Sequence, residues 1–180
     1  MKQKLEWYLE KNFKLSPMQF GFRRGKGTYQ PIMHLLTDIQ ITKGKNLYMP
    51  TAFLDITKAY DNVNHEILYN TLIEKDINID IAKIIFNLII NNNLIIHYNN
   101  SQYGPRRAIN GLTQGAILSP LLYIIYTSDI FKKLAYECTL LEYADDLVLY
   151  VQGKNLDKCI EILQKNLNTY FTPLAEQYKP

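Results

Sequence analysis

Two adjacent aspartates, Asp145 and Asp146, interrupt the apolar run Leu140-Leu141-Glu142-Tyr143-Ala144-Asp145-Asp146-Leu147-Val148-Leu149-Tyr150-Val151. Neighbouring carboxylates repel each other, and a charge buried without a partner is expensive. The pair belongs either in a solvated turn, as aspartates in turns commonly do, or beside a bound cation. A third carboxylate, Asp55, closes the hydrophobic stretch Thr51-Ala52-Phe53-Leu54-Asp55-Ile56. If the two strands are neighbours, three carboxylates converge at one sheet edge, and mutual repulsion disfavours that cluster unless divalent cations fill it. Hard Mg²⁺, which takes a few carboxylates together with substrate phosphates, suits the donor set. Two such ions ~3.5–4 Å apart activate an attacking hydroxyl and stabilise the leaving oxygen of an in-line phosphoryl transfer. The chemistry implied is nucleotidyl transfer.

The elements that must position these groups follow from periodicity and punctuation. Residues 139–143 and 147–151 read as two strands flanking Ala144-Asp145-Asp146 at a hairpin tip, and 51–56 as a buried strand. Leu5, Leu9 and Phe13 mark a short helix ended near Ser16-Pro17, and Ile32, Leu35, Leu36 and Ile39 a helical face stopped by Gly44. Helices follow at 64–75 and 79–91, the second with a stripe of Ile81, Ile84, Ile85 and Leu88. A hairpin spans 94–109 around Asn99-Asn100-Ser101. Ser119-Pro120 has the form of an N-cap and first helical residue, opening a buried helix to about Phe131. A closing helix carries Leu156, Ile160, Leu163 and Leu167. This mixed order predicts an α+β domain, with helices packed on one face of a mainly antiparallel sheet.

With 180 residues, 47% of them hydrophobic, the chain can bury one substantial core, which excludes wholesale disorder. A net charge of +3 permits nucleic-acid binding without arguing for it. Cys138 and Cys159 lack metal-ligand spacing, and a reducing compartment fits them best. No signal peptide or membrane-spanning run is visible, so the expected setting is intracellular, nuclear or cytoplasmic, and not secreted. Arg23, Arg24 and Lys26 stand in a glycine-flanked basic loop suited to phosphate contacts, on a template strand or on a nucleotide triphosphate; the alternative is a solvated surface loop. Arg106 and Arg107 either track a backbone or line an exposed hairpin edge. His34, His65 and His97 have no ligand spacing and read as structural or exposed.

Four motifs in order then carry a resemblance. Phe53-Leu54-Asp55-Ile56-Thr57-Lys58-Ala59-Tyr60-Asp61-Asn62-Val63 resembles the first carboxylate motif of reverse transcriptases. Gly111-Leu112-Thr113-Gln114-Gly115-Ala116-Ile117-Leu118-Ser119-Pro120 is similar to their nucleotide-binding motif, and Tyr143-Ala144-Asp145-Asp146 matches their Tyr-Ala-Asp-Asp signature. Gln19-Phe20-Gly21-Phe22-Arg23-Arg24-Gly25-Lys26-Gly27-Thr28 resembles a fingers motif of the non-LTR (LINE-type) retrotransposon and group II intron enzymes. Thr113 replaces the family's usual proline and Gly27 its usual serine, neither removing a side chain the chemistry needs.

The resemblance implies a right-hand polymerase palm plus partial fingers. Residues 1–49 would be partial fingers, 50–76 palm, 77–110 a fingers-like helix and hairpin, and 111–180 palm. Asp55 and Asp145 would be the principal ligands of two Mg²⁺ ions, or Mn²⁺ in their place, with Asp146 completing the catalytic set and the Ile56 carbonyl adding an oxygen. Tyr60 would sit beneath the sugar of the incoming nucleotide and exclude a 2′-hydroxyl, and Gln114 and Gly115 would contact that nucleotide. Asp61 reads better as the cap of the helix starting near 62–64 than as a metal ligand. The implied partners are RNA template, DNA primer and dNTPs. The expected chain is truncated at both ends, with no thumb and no endonuclease region of a parent polyprotein, so its RNA-directed DNA synthesis should be weak or absent. The alternatives are a catalytically inactive nucleic-acid-binding remnant and an RNA-dependent RNA polymerase palm, against which Tyr60 argues.

Overall fold

The computed structural model describes residues 1–91, 93–129, 134 and 137–171. Its elements are α1 (Lys2–Lys11), α2 (Tyr29–Gly44), β1 (Thr51–Asp55), α3 (His65–Glu74), α4 (Ile79–Ile90), β2 (Asn93–Tyr98), β3 (Ser101–Arg107), α5 (Ser119–Thr127), β4 (Cys138–Tyr143), β5 (Asp146–Val151) and α6 (Leu156–Asn166), followed by a π-helical turn at Leu167–Phe171. The expected extension of α5 to Phe131, and the C-terminal stretch beyond Phe171, lie outside the described residues. Among the described residues no helix is long and apolar enough to cross a membrane. The chain divides into two compact units, one of Met1, Gln3–Thr57 and Thr127–Pro180, the other of Lys2 and Lys58–Tyr126.

The first unit is built on a three-stranded antiparallel sheet in the order β1-β5-β4. Strand alternation sends Leu140, Leu147, Leu149 and Val151 to one face, where they form a core with Cys159 and Leu163 of α6. Leu141 and Tyr150 point to the other face and pack on Phe20, with Leu35 of α2 alongside. The sheet is therefore covered on both faces, not on one as the element order suggests. The cover of the second face is partly polar: the Tyr150 hydroxyl donates to Asp38, and Gln152 Nε2 donates to Thr42 Oγ1 at 2.7 Å.

Two sequence expectations change here. Of the apolar face read on α2, Leu35 reaches the sheet, while Ile32, Leu36 and Ile39 stay exposed because Asp38 and Thr42 supply the anchoring side. Strand β1 is an edge strand and not a buried one: Ala52 and Leu54 pack inward, but Phe53 is 73% exposed.

In the second unit Asn64 and Asn78 cap α3 and α4, each accepting two backbone N–H bonds, so Asn64 and not Asp61 starts the helix. The two helices meet through Tyr69 and Phe86, whose rings lie 5.2 Å apart. The buried stripe of α4 is Ala82, Ile85 and Ile89, whereas Ile81, Ile84 and Leu88 are exposed. A helix this uniformly apolar carries several overlapping stripes, and periodicity alone does not choose between them. Strands β2 and β3 form the expected hairpin, with Asn99 and Asn100 both left-handed, as a two-residue turn of this hand requires. Helix α5 buries Leu121 through Ile125.

Candidate active site

Strands β1 and β5 are direct neighbours, and their register sets Asp55 opposite Asp146. On the other side of β5, Asp146 pairs with Tyr143, leaving Ala144 and Asp145 as the hairpin tip. Residues paired across an antiparallel ladder share a face, so Asp55, Asp146 and Tyr143 project together, with Phe53 and Val148 in the next row. Asp55 and Asp146 are exposed and Asp145 is half-buried. Ile56, directly after Asp55, turns its side chain into the core under β1. Three carboxylates from one strand end and one adjoining turn are hard oxygen donors, the chemistry that a divalent cation of the Mg²⁺ type takes. Among the described residues no three acidic, imidazole or thiol side chains stand as a ready-made cation cage, so the convergence is one of backbone register.

The hairpin is held from outside by the segment before the basic loop. Glu142 N donates to Met18 O at 2.9 Å and Phe20 N to Glu142 O at 2.7 Å, so residue 19 runs parallel beside β4. Gln19 Oε1 accepts from the Ala144 amide at 3.1 Å. A Cβ on Gly21 would fall 2.1 Å from the Ala144 nitrogen, so only glycine lets the two backbones approach this closely. Glu142 is buried beneath this contact, and burial pushes its carboxyl up to about 7, against the opposing pull of the Ser16 hydroxyl, Arg23 and Lys26. Read from the sequence alone, Gln19 and Gly21 belong to the fingers motif without a role of their own, and Glu142 is given none. The available signal was Glu142 itself, the one charged residue of the apolar strand β4.

Of the three basic residues expected at phosphates, two are engaged within the loop's own scaffold. Arg23 makes a two-pronged pair with Glu10 of α1, at 2.7 Å from Nε and 2.5 Å from Nη2, and donates to Ser16 O at 2.6 Å. Lys26 Nζ donates to Pro17 O at 2.7 Å and lies 4.7 Å from the centre of the Phe20 ring. Burial, then the neighbouring Arg23 charge, lowers the Lys26 pKa. Arg24 is exposed.

In the second unit, Tyr60 stacks on the buried Tyr123, ring centres 5.1 Å apart and planes 10° from parallel. The loop before α5 is tied to this segment by Leu112 N donating to Tyr60 O at 2.9 Å and Gly111 N to Val63 O at 2.8 Å. Gln114 and Gly115 follow in the same loop. Gln114 is exposed and its Nε2 lies 3.5 Å from Asp61 Oδ1, which gives Asp61 a role other than capping. Gly115 has φ +83° and nothing within 4 Å of where a Cβ would be. The Ser119 hydroxyl donates back to Thr113 O at 2.7 Å, closing the loop onto the helix start. His65 is buried, its Nε2 2.7 Å from Gly111 O, as the structural reading of that residue expects. Arg106 lies on β3; the Arg107 side chain lies outside the described residues.

Comparison with known proteins gives a consistent result. The family profile described as "Reverse transcriptase (RNA-dependent DNA polymerase)" matches residues 1–177. The chain is 28% identical over 163 residues to the "Probable RNA-directed DNA polymerase from transposon BS" of Drosophila melanogaster, covering 87% of this chain and 17% of that protein. It is 27% identical over 163 residues to the "RNA-directed DNA polymerase from mobile element jockey" of Drosophila funebris, covering 84% of this chain and 17% of that protein. It is 28% identical over 144 residues to the "Retrovirus-related Pol polyprotein from type-1 retrotransposable element R2" of Nasonia vitripennis, covering 75% of this chain and 13% of that protein. The chain thus spans less than a fifth of the length of each of these relatives.

Proposed function

The chain belongs to the reverse transcriptase family, and from that premise we propose that it carries the palm and part of the fingers of an RNA-directed DNA polymerase of the non-LTR retrotransposon type. The observation that supports this best is the register of Asp55 against Asp146 with Asp145 at the adjoining tip, three carboxylate-bearing positions at one end of one sheet. On this reading Asp55, Asp145 and Asp146, with the Ile56 carbonyl, hold two divalent cations. Those cations, which the family generally uses, supply charge neutralisation for phosphoryl transfer.

The chain's own residues then do the positioning. The carboxylates fix where the primer hydroxyl and the nucleotide phosphates converge, and in phosphoryl transfer most of the barrier reduction comes from such placement. Tyr60, held flat against Tyr123, cannot yield easily and leaves no room for a 2′-hydroxyl. Gln114 offers an amide donor and acceptor to the nucleotide. Gly115, with open space beside its Cα, admits the nucleotide to the backbone. Arg24 is the basic residue of the loop turned to solvent and suits a template phosphate. Residues 1–49 and 77–110 serve as fingers, and 50–76 and 111–180 as palm. The partners are an RNA template, a DNA primer and dNTPs.

The test is primer extension on an RNA template with dNTPs and Mg²⁺. Weak extension is expected with dNTPs, and any extension is expected to be lost on Asp55→Ala or Asp145→Ala. Salt-dependent binding of the template–primer duplex with no nucleotide incorporated at any Mg²⁺ concentration contradicts the polymerase reading.

A further inference from the structure

Gln19 is 1% exposed, yet its carboxamide has a full set of partners. Its Oε1 accepts from the Gly21 amide at 2.8 Å and from the Ala144 amide at 3.1 Å. Its Nε2 faces the Ala144 carbonyl and Glu142 Oε2, each at 3.4 Å. One side chain therefore meets both the N–H and the C=O of Ala144, a residue at the hairpin tip where the β4–β5 ladder has already ended at Tyr143 and Asp146. Ala144 has φ 57°. A non-glycine residue in that region is strained and persists where its surroundings over-determine it.

The geometry points to Gln19 as the positioning residue of the carboxylate hairpin: its carboxamide locks the left-handed Ala144 and so fixes the direction in which Asp145 leaves the turn. The inference rests on reading Asp145 as a cation ligand. Ala144 is itself buried, so without Gln19 its peptide groups lose partners that water does not readily replace. Gly21 contributes by allowing the approach, and Glu142 by orienting the amide through its Oε2. Groups that orient a cation ligand without touching the cation typically change its affinity 10- to 100-fold, roughly, when removed.

The test uses the 180-residue chain as wild type, Gln19→Met, Gln19→Glu/Glu142→Gln and Asp145→Ala. It has two readouts, backbone hydrogen exchange and Mn²⁺ binding followed by electron paramagnetic resonance. In Gln19→Met the Ala144 amide is expected to exchange at least about tenfold faster while Leu140 and Leu149 keep their protection, and Mn²⁺ affinity is expected to fall about 10- to 100-fold. The double variant keeps an acceptor for the Gly21 and Ala144 amides and reverses the donor–acceptor sense between positions 19 and 142, but it loses the donor to the Ala144 carbonyl, so both readouts return part of the way toward wild type. Wild-type exchange at Ala144 in Gln19→Met overturns the inference, as does a folded double variant as deficient as Gln19→Met. If Gln19→Met does not fold, the double variant decides alone: retained protection of the Ala144 amide supports the lock and its loss overturns it. Asp145→Ala separates this inference from the reading beneath it. Mn²⁺ binding indifferent to that substitution removes Asp145 as a ligand, while the exchange rates still decide whether Gln19 holds Ala144.

Discussion

Asp55 lies directly across the β1–β5 ladder from Asp146, in a register that puts both carboxylates on one face of the sheet. Like charges placed so are destabilising, and nothing in the hydrophobic packing of β1 calls for an aspartate there. On the proposed function, the fold tolerates the pair for its chemistry. Asp55→Asn is therefore expected to raise stability by about 0.2–1 kcal/mol in chelator, measured by urea denaturation, while removing nucleotide incorporation. A loss of stability in chelator would contradict the repulsion argued here.

Tyr60 is expected to set sugar selectivity. With the ring supported by Tyr123, Tyr60→Ala opens the space a 2′-hydroxyl needs, and the dNTP-over-rNTP preference should fall about 10- to 200-fold, the range a steric pocket commands. Single-nucleotide incorporation with each sugar checks it.

The basic loop should divide into a staple and a contact. Arg23→Ala leaves a partly exposed Glu10 without its partner and unties Ser16 O, so it should lower stability by about 1–2 kcal/mol in chemical denaturation. Arg24→Ala should leave stability unchanged and reduce the slope of log affinity against log salt for template–primer duplex by about 1.

Glu142 gives the fold a pH dependence of definite sign. Its carboxyl sits at about 7 in the folded chain against 4.5 for an ordinary glutamate, so the native state holds the proton longer than the unfolded one. Stability should then fall as pH rises from about 4.5 to about 7, by about 3 kcal/mol, and stay low above that. Glu142→Gln should flatten this window and stabilise the chain above pH 7, as measured by thermal unfolding across pH.

Much of this was legible in the sequence because the informative features are local. Alternation around Asp145-Asp146 gave the hairpin, asparagines at 99–100 marked a turn, and Asp55 at the end of an apolar run implied its neighbour, while the cap of α3 fell to Asn64 and not to the expected Asp61. What periodicity could not supply was the choice among faces. The exposure of Phe53, the outward turn of Ile32, Leu36 and Ile39, and the burial of Ala82 in place of Ile81 depend on which elements come to lie where. The engagement of Arg23 with Glu10, 13 residues away, and of Gln19 with Ala144, 125 residues away, are long-range contacts between polar groups that carry no pattern of their own.

On the proposed function, Asp55, Asp145 and Asp146 form one nucleotidyl-transfer centre. The most direct measurement is the single-turnover rate of one dNTP added to a DNA primer on an RNA template, in Mg²⁺, for the wild-type chain and for folded Asp145→Ala. Incorporation by the wild type is expected, with a rate about 10²- to 10³-fold lower in the variant, the scale of loss that follows removal of a preorganised charge-stabilising group. Equal rates in the two proteins would contradict it.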